Sequence, residues 1–228
     1  MIEPNSIINA DCLDIFPQIK DKSVELVLTD MPYGITACAW DIVPDLDKLW
    51  TELKRIGKPN CAYVFTASQP FTTDLICSNR KWFKYEWIWE KNHGSNFASI
   101  KYQPMKLHEN VLVFGESINY FPIMQKKSLS SIQRDNYIRN GNTEINHLGN
   151  LKTLTREANF YTELKYPSSI QYFNNNNDEE FGLHPTQKPI ALFQYLIQTY
   201  TNEGDLVLDP FGGASQLSLL VYRQIDAT

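Results

Sequence analysis

Val24-Glu-Leu-Val-Leu-Thr29, followed at once by Asp30-Met31-Pro32-Tyr33, decides the fold. Its apolar, β-branched run belongs to a strand buried on both faces, as in parallel sheets. The strand ends on a carboxylate, and ligands in open α/β sheets bind outside the carboxyl ends of their strands. Working outward, Ser6–Ala10 reads as a short strand leading to Asp11 and a helix near Leu13–Ile19. A helix over Leu46–Ile56 is closed by Gly57 and Pro59, and a strand follows at Ala62–Thr66. Pro70–Cys77 starts another helix, Lys84–Glu90 alternates as a strand, and Asn110–Phe114 is one more. From Gly115 to about Phe181 the chain is polar and irregular, the texture of a functional or mobile insertion. Order returns with His184-Pro-Thr-Gln-Lys-Pro189, a helix to Tyr200, Gly204 beyond it, and a strand Leu206–Leu208 ending at Asp209. Strands alternating with helices predict an α/β fold with a doubly wound, mostly parallel sheet.

The 228 residues suffice for one α/β domain with an insertion, and 43% hydrophobic with 21% charged residues is ordinary for a globular chain. No apolar run approaches the roughly 18 residues that span a bilayer, and residues 1–5 show no signal peptide, so the expectation is a cytoplasmic protein without membrane contact. Cys12, Cys38, Cys61 and Cys77 form no Cys-x-x-Cys pair, which argues against a metal site. The net charge of −5 does not advertise a nucleic-acid binder. Between Arg80 and Lys106, however, basic residues including Lys91 interleave with Trp82, Phe83, Tyr85, Trp87 and Trp89. That pattern suits a surface for phosphates and unstacked bases, or a strand with core-facing rings and solvated lysines.

Three segments carry chemistry. An aromatic exocyclic amine is a poor nucleophile because its lone pair is delocalised into the ring. The Asp30 carboxylate and the Met31 carbonyl could hold its two hydrogens while Tyr33 stacks on a base flipped from the duplex. The bland alternative for this segment is a turn. Asp209-Pro-Phe-Gly-Gly-Ala214 is a glycine turn between strand and helix, able to admit a ligand close to the backbone or simply to connect two elements. His184–Pro189 forms either a polar cluster fit for an amino-acid moiety or a loop before a capped helix.

In this order the motifs resemble the β-type amino methyltransferases of DNA, the adenine N6 and cytosine N4 family of phage and restriction–modification type. Asn9-Ala-Asp-Cys12 and Ser68-Gln-Pro-Phe71 extend the resemblance over about residues 6–114 and 181–214. It implies a Rossmann-like methyltransferase sheet and S-adenosylmethionine as the cofactor, with no metal. Asp30, Met31, Pro32 and Tyr33 would form the catalytic base pocket. Asp11, Cys12, His184, Thr186, Lys188, Asp209, Phe211 and Gly213 would bind the cofactor. Residues 1–115 would be the catalytic half, 116–180 the target-recognition insertion, and 181–228 the cofactor half. Lys91, Lys126, Lys127, Arg134, Arg139, Lys152 and Arg156 would meet double-stranded DNA. A homodimer and a cognate restriction endonuclease are the further partners the resemblance suggests.

Asp30 favours adenine, since the cytosine enzymes of the family usually carry serine there. Cytosine N4 is the alternative target, and a catalytically silent, truncated DNA-binding remnant is the alternative of another class. Two departures stand out. Met31 replaces the family's first proline, keeping the carbonyl but losing the fixed φ, so reduced pre-organisation is expected. After Gly213 only Leu217–Ile225 and Asp226-Ala-Thr228 follow, so the sheet is expected to lack its last strand and helix and to hold the cofactor less well.

Overall fold

The computed structural model describes residues 2, 5–36, 38–133, 163–174 and 188–212. They fall into two compact units, one drawn from 1–121 and 169–228, the other from 122–168. In the first unit β1 (Val24–Thr29), β2 (Gly57–Ala67), β3 (Phe83–Glu90), β4 (His108–Phe114), β7 (Ile170–Tyr172) and β8 (Val207–Leu208) build one sheet. Its order is β7-β3-β4-β2-β1-β8. The β1 pairings with β2 and β8 are parallel, as is β3 with β7, whereas β4 runs antiparallel to β2 and β3. The α/β class is therefore as expected, with β4 reversed. In the second unit β5 (Gln125–Lys126) pairs antiparallel with β6 (Leu164–Lys165).

Every residue of β1 is buried because the sheet is covered on both faces. On one face Val24, Val27, Tyr63, Phe65, Leu112 and Phe114 share a core with helices α2 (Leu46–Ile56) and α3 (Phe71–Ser78). On the other, Leu26, Leu28, Val64, Val111, Val113, Trp87 and Trp89 pack against α4 (Ile190–Tyr200). Helix α2 starts where the Asp45 carboxylate accepts from the Lys48 amide at 3.1 Å. It buries Leu49, Trp50, Leu53 and Ile56, one stripe at helical spacing.

The structure corrects three expectations. Ser6–Ala10 is exposed and not a strand. Beyond β8 no further strand of the sheet occurs among the described residues, so this segment finds no partner there. The helix expected at Leu13–Ile19 is a short α1 (Cys12–Ile15) followed by a 3-10 turn over Phe16–Gln18. Helix α2 does close at Gly57, whose amide donates to the Leu53 carbonyl, but β2 begins there rather than at Ala62: Val24 pairs with Gly57 and Leu26 with Ala62, leaving Lys58–Cys61 as an irregular stretch that tolerates proline. Gly57 is required by close approach, since a Cβ there would come within 2.0 Å of the Tyr63 hydroxyl.

Within the sequence between 116 and 180, Ile170–Tyr172 joins the main sheet beside β3. In β3 itself the core reading prevails: Trp87 and Trp89 are buried while Lys84, Glu86 and Glu90 are exposed. The strand and helix expected to be missing would follow Gly213 and lie outside the described residues.

The second core carries a buried hydroxyl network. Trp87 Nε1 donates to the Tyr200 hydroxyl at 2.7 Å, and the Tyr85 hydroxyl lies 3.1 Å from the same oxygen. Tyr200→Phe strands the indole N–H, and is expected to lower unfolding stability by about 1–3 kcal/mol in urea titration.

Candidate active site

Asp30 follows β1 directly, at the carboxyl end of the strand, with its side chain 24% exposed. Its carboxylate is closely surrounded. The Tyr33 hydroxyl lies 2.7 Å from Asp30 Oδ1 and 2.9 Å from Thr66 Oγ1, and the Thr66 hydroxyl donates to the same Oδ1. On the other oxygen, Lys188 Nζ donates to Oδ2 at 2.8 Å. Burial and the Asp30 charge push the Tyr33 hydroxyl well above its ordinary pKa, so it remains a proton donor. The Tyr33 ring stacks on Phe71 with centroids 5.4 Å apart and planes 21° apart.

The chain after Tyr33 is held by one carboxylate. Asp41 accepts from the Gly34, Ile35 and Thr36 amides at 2.8, 3.0 and 2.7 Å. Burial opposes its charge, but bonds from Thr36, Gly34 and Ile35 outweigh it and lower the pKa. Gly34 takes φ +69° in this turn, a conformation glycine adopts without strain. Met31 is only 2% exposed, its side chain sunk in the core with Phe16 and Phe71. A proline there would restore a fixed φ but would give up that packing.

A second carboxylate lies beside the first. β8 pairs with β1 in parallel, so Asp209 emerges at the same edge as Asp30. Asp209 Oδ1 accepts from the Thr29 hydroxyl and, at 3.1 Å, from the Phe211 amide. Burial raises its pKa to about 6, and the neighbouring Asp30 charge adds to the effect. No ion pair to Asp209 occurs among the described residues.

Of the expected site residues, the structure therefore brings together Asp30, Tyr33, Lys188 and, through Thr29, Asp209. Pro32 is half-buried between them in sequence. Phe211, Cys12 and Tyr33 all pack against the same core. Asp11 caps α1 by accepting from the Leu13 amide at 2.9 Å, and burial with the Asp11 charge pushes the Cys12 thiol up to about 11. Lys188, expected beside the cofactor, touches the Asp30 carboxylate. His184, Thr186 and Gly213 lie outside the described residues, as do Arg134, Arg139, Lys152 and Arg156.

Lys91 is a correction. It was expected to meet DNA, but its side chain is 6% exposed, paired with Glu109, and 4.7 Å from the Trp89 ring centroid. Lys126 is exposed and Lys127 half-buried in the second unit. Thr66, Asp41 and Glu109 were missed. Glu109 had a signal in sequence, an acidic residue opening the apolar run that becomes β4. Thr66 and Asp41 had none, since a lone threonine or aspartate shows no partner until the chain folds.

The mixed sheet, with its reversed strand and two carboxylates at the edge where ligands of open α/β sheets bind, defines an α/β ligand-binding protein. Comparison with known proteins narrows the class: residues 24–221 match the N6/N4 DNA methylase family, and the chain belongs to it. It is 25% identical to the type II methyltransferase M1.MboII of Moraxella bovis, over 98% of this chain and 89% of that protein. It is 28% identical to the DNA adenine methyltransferase YhdJ of Escherichia coli, over 93% of this chain and 72% of the relative. Among solved structures, the fold is similar to M1.HpyAVI in complex with SAM (TM-score 0.56, 21% identity, 96% of this chain and 89% of that one). It is also similar to the cytosine-N4-specific PvuII DNA methyltransferase (TM-score 0.62, 16% identity, 96% and 78%).

Because Asp209 carries a folded pKa raised from 3.8 to about 6, its ionised form is disfavoured by the fold. Its contribution to stability is retained below about pH 4 and lost as pH rises toward 6 and above, by about 3 kcal/mol. Asp209→Asn is expected to lack that pH-dependent loss, measured as the difference in Tm between the two proteins from pH 4 to pH 7.

Proposed function

We propose that the chain transfers a methyl group from S-adenosylmethionine to adenine N6 in double-stranded DNA. The observation that carries this reading is the Asp30 carboxylate at the end of β1, held by two hydroxyls beside the Tyr33 ring. A carboxylate accepts hydrogen bonds only, which matches an amine that must offer its hydrogens while its nitrogen turns toward an electrophile. Asp30 would take one hydrogen of the amine and the Met31 carbonyl the other. Tyr33 and Thr66 would fix the carboxylate plane so that little reorganisation accompanies reaction. The amine's lone pair forms the new N–C bond as the C–S pair returns to sulfur, and the nitrogen then sheds one proton.

The donor set fits S-adenosylmethionine, which supplies an activated methyl on a cationic sulfonium and also bears an ammonium group. Asp209 is a buried carboxylate with a raised pKa and no cation paired to it among the described residues, so a bound cation would stabilise its ionised form. Asp11, Cys12 and Phe211 are the other described candidates for this half. Lys126 and Lys127, with the segment 116–180, would face DNA outside the base pocket. Adenine is preferred over cytosine on Asp30 and on the similarity to an adenine methyltransferase. Cytosine N4 stays as the second reading because the similar folds include a cytosine-N4-specific enzyme. The cell interior, where DNA and S-adenosylmethionine meet, and a cognate restriction endonuclease complete the proposal.

Incubation with unmethylated genomic DNA and methyl-labelled S-adenosylmethionine, followed by nucleoside analysis, tests this directly. Label in N6-methyldeoxyadenosine is expected, label in N4-methyldeoxycytidine would reassign the base, and no label would overturn the reading. Asp30→Asn is expected to lose about 100-fold or more in kcat. Cofactor binding near pH 6 is expected to release protons, seen as a buffer-dependent heat in calorimetry, and Asp209→Asn should abolish that dependence.

A further inference from the structure

We propose that Lys188 is a stand-in for the amino group of the target base, and that Glu109 is the anion onto which it withdraws when the base arrives. The inference rests on the function proposed above. Two of the carboxylate's acceptor positions are taken on Oδ1 by Tyr33 and Thr66, and Oδ2 already carries the Lys188 ammonium. An incoming amine approaching Oδ2 competes with Lys188 for the same oxygen and the space in front of it. The two hydroxyls serve the oxygen on the far side of the carboxylate from Lys188. Lys188 is the donor on Oδ2, and it has somewhere else to go.

That destination is specific. Glu109 Oε2 lies 3.5 Å from Lys188 Nζ, an ion pair at the long end of its range, is buried, and has no closer hydrogen-bond donor among the described residues. Its sister oxygen Oε1 is occupied by Lys91. A buried carboxylate oxygen left unsatisfied is costly and rare, so its persistence calls for a use. A shift of under about 1 Å brings the ammonium into ordinary hydrogen-bond range of Oε2. The Lys188 ammonium also lies 5.5 Å from the Tyr33 ring centroid, in the same corner of carboxylate and aromatic ring that the base amine would fill.

Charge explains why both residues are needed. Burial disfavours the Lys188 cation, but Asp30 and Glu109 outweigh it and raise its pKa. The side chain thus stays an ammonium in either position. A buried ammonium cannot leave one carboxylate unless another receives it, because an unpaired charge in the interior is prohibitive. With Lys188 on it, the Asp30 carboxylate has a cation beside it next to Asp209. When the amine arrives, Glu109 holds two ammonium groups and Asp30 regains an acceptor. Glu109 is thereby a positioning residue: it never meets the substrate and acts through Lys188.

Glu109→Gln keeps the shape and removes the receiving charge, so Lys188 stays on Asp30. With unmethylated genomic DNA, kcat is expected to fall about tenfold or more while S-adenosylmethionine affinity by calorimetry changes less than about threefold. Adding Lys188→Met removes the competitor and is expected to recover at least about threefold of the lost rate, a coupling that a merely structural Glu109 would not show. The proposal is overturned if Glu109→Gln keeps half or more of kcat, or if the double variant is slower than the single one. Thermal melts establish that each variant is folded. If Glu109→Gln alone does not fold, the double variant carries the test: its KM for DNA is expected below that of the parent chain, and a higher KM overturns the inference. A parent chain that transfers methyl groups in the same assay separates failure of this inference from failure of the function, since absence of any transfer overturns both.

Discussion

Asp30 follows a strand buried on both faces, and with its side chain only 24% exposed most of its charge is met from inside the molecule. Much of the site follows from that constraint. Thr66 arrives from β2 and Tyr33 from three residues along the chain, while Lys188 precedes α4 and approaches from 158 residues away. Lys188 cannot be buried beside one carboxylate without affecting the next, so Glu109 and then Lys91 follow in an alternating series of charges. Such a series exchanges desolvation for mutual pairing, and its value lies in fixed geometry more than in stability.

The two carboxylates at the sheet's carboxyl edge are treated differently by their surroundings. Asp30 is paired with a cation; Asp209, one strand away, has a hydroxyl and a backbone amide and is pushed toward neutrality. Two like acids in different environments divide the labour as acid sites commonly do. In the proposed function the first would receive an amine's hydrogens and the second would welcome a cation. The parallel β1–β8 pairing places them side by side, and the Thr29 hydroxyl reaches from the end of one strand to the acid of the other.

Sequence legibility varied with the kind of signal. Strand β1 and helices α2 and α4 were legible because burial on both faces, or on one helical stripe, leaves a composition that local reading detects. Residues 6–10 misled because Ile7-Ile8 gives the β-branched look of a strand without a neighbour to bond to. Gly57 does end helix α2, yet with Pro59 it also opens β2, because the register of β1 against β2 absorbs both. The basic aromatic stretch around β3 allowed two readings that only packing against α4 could separate.

By itself the sequence determined the α/β class, the motif order that marks the family, and Asp30 and Asp209 as acids ending strands. These depend on local composition and on spacing along the chain. Only the tertiary structure decided that Lys188 sits on Asp30, that Lys91 is spent on Glu109 and so does not face DNA, and that Glu109 has an oxygen without a hydrogen bond. The reason is physical. A charged side chain looks the same in sequence whether it faces solvent or another charge, and its partner is set by long-range packing that brings distant strands and helices to one edge of the sheet.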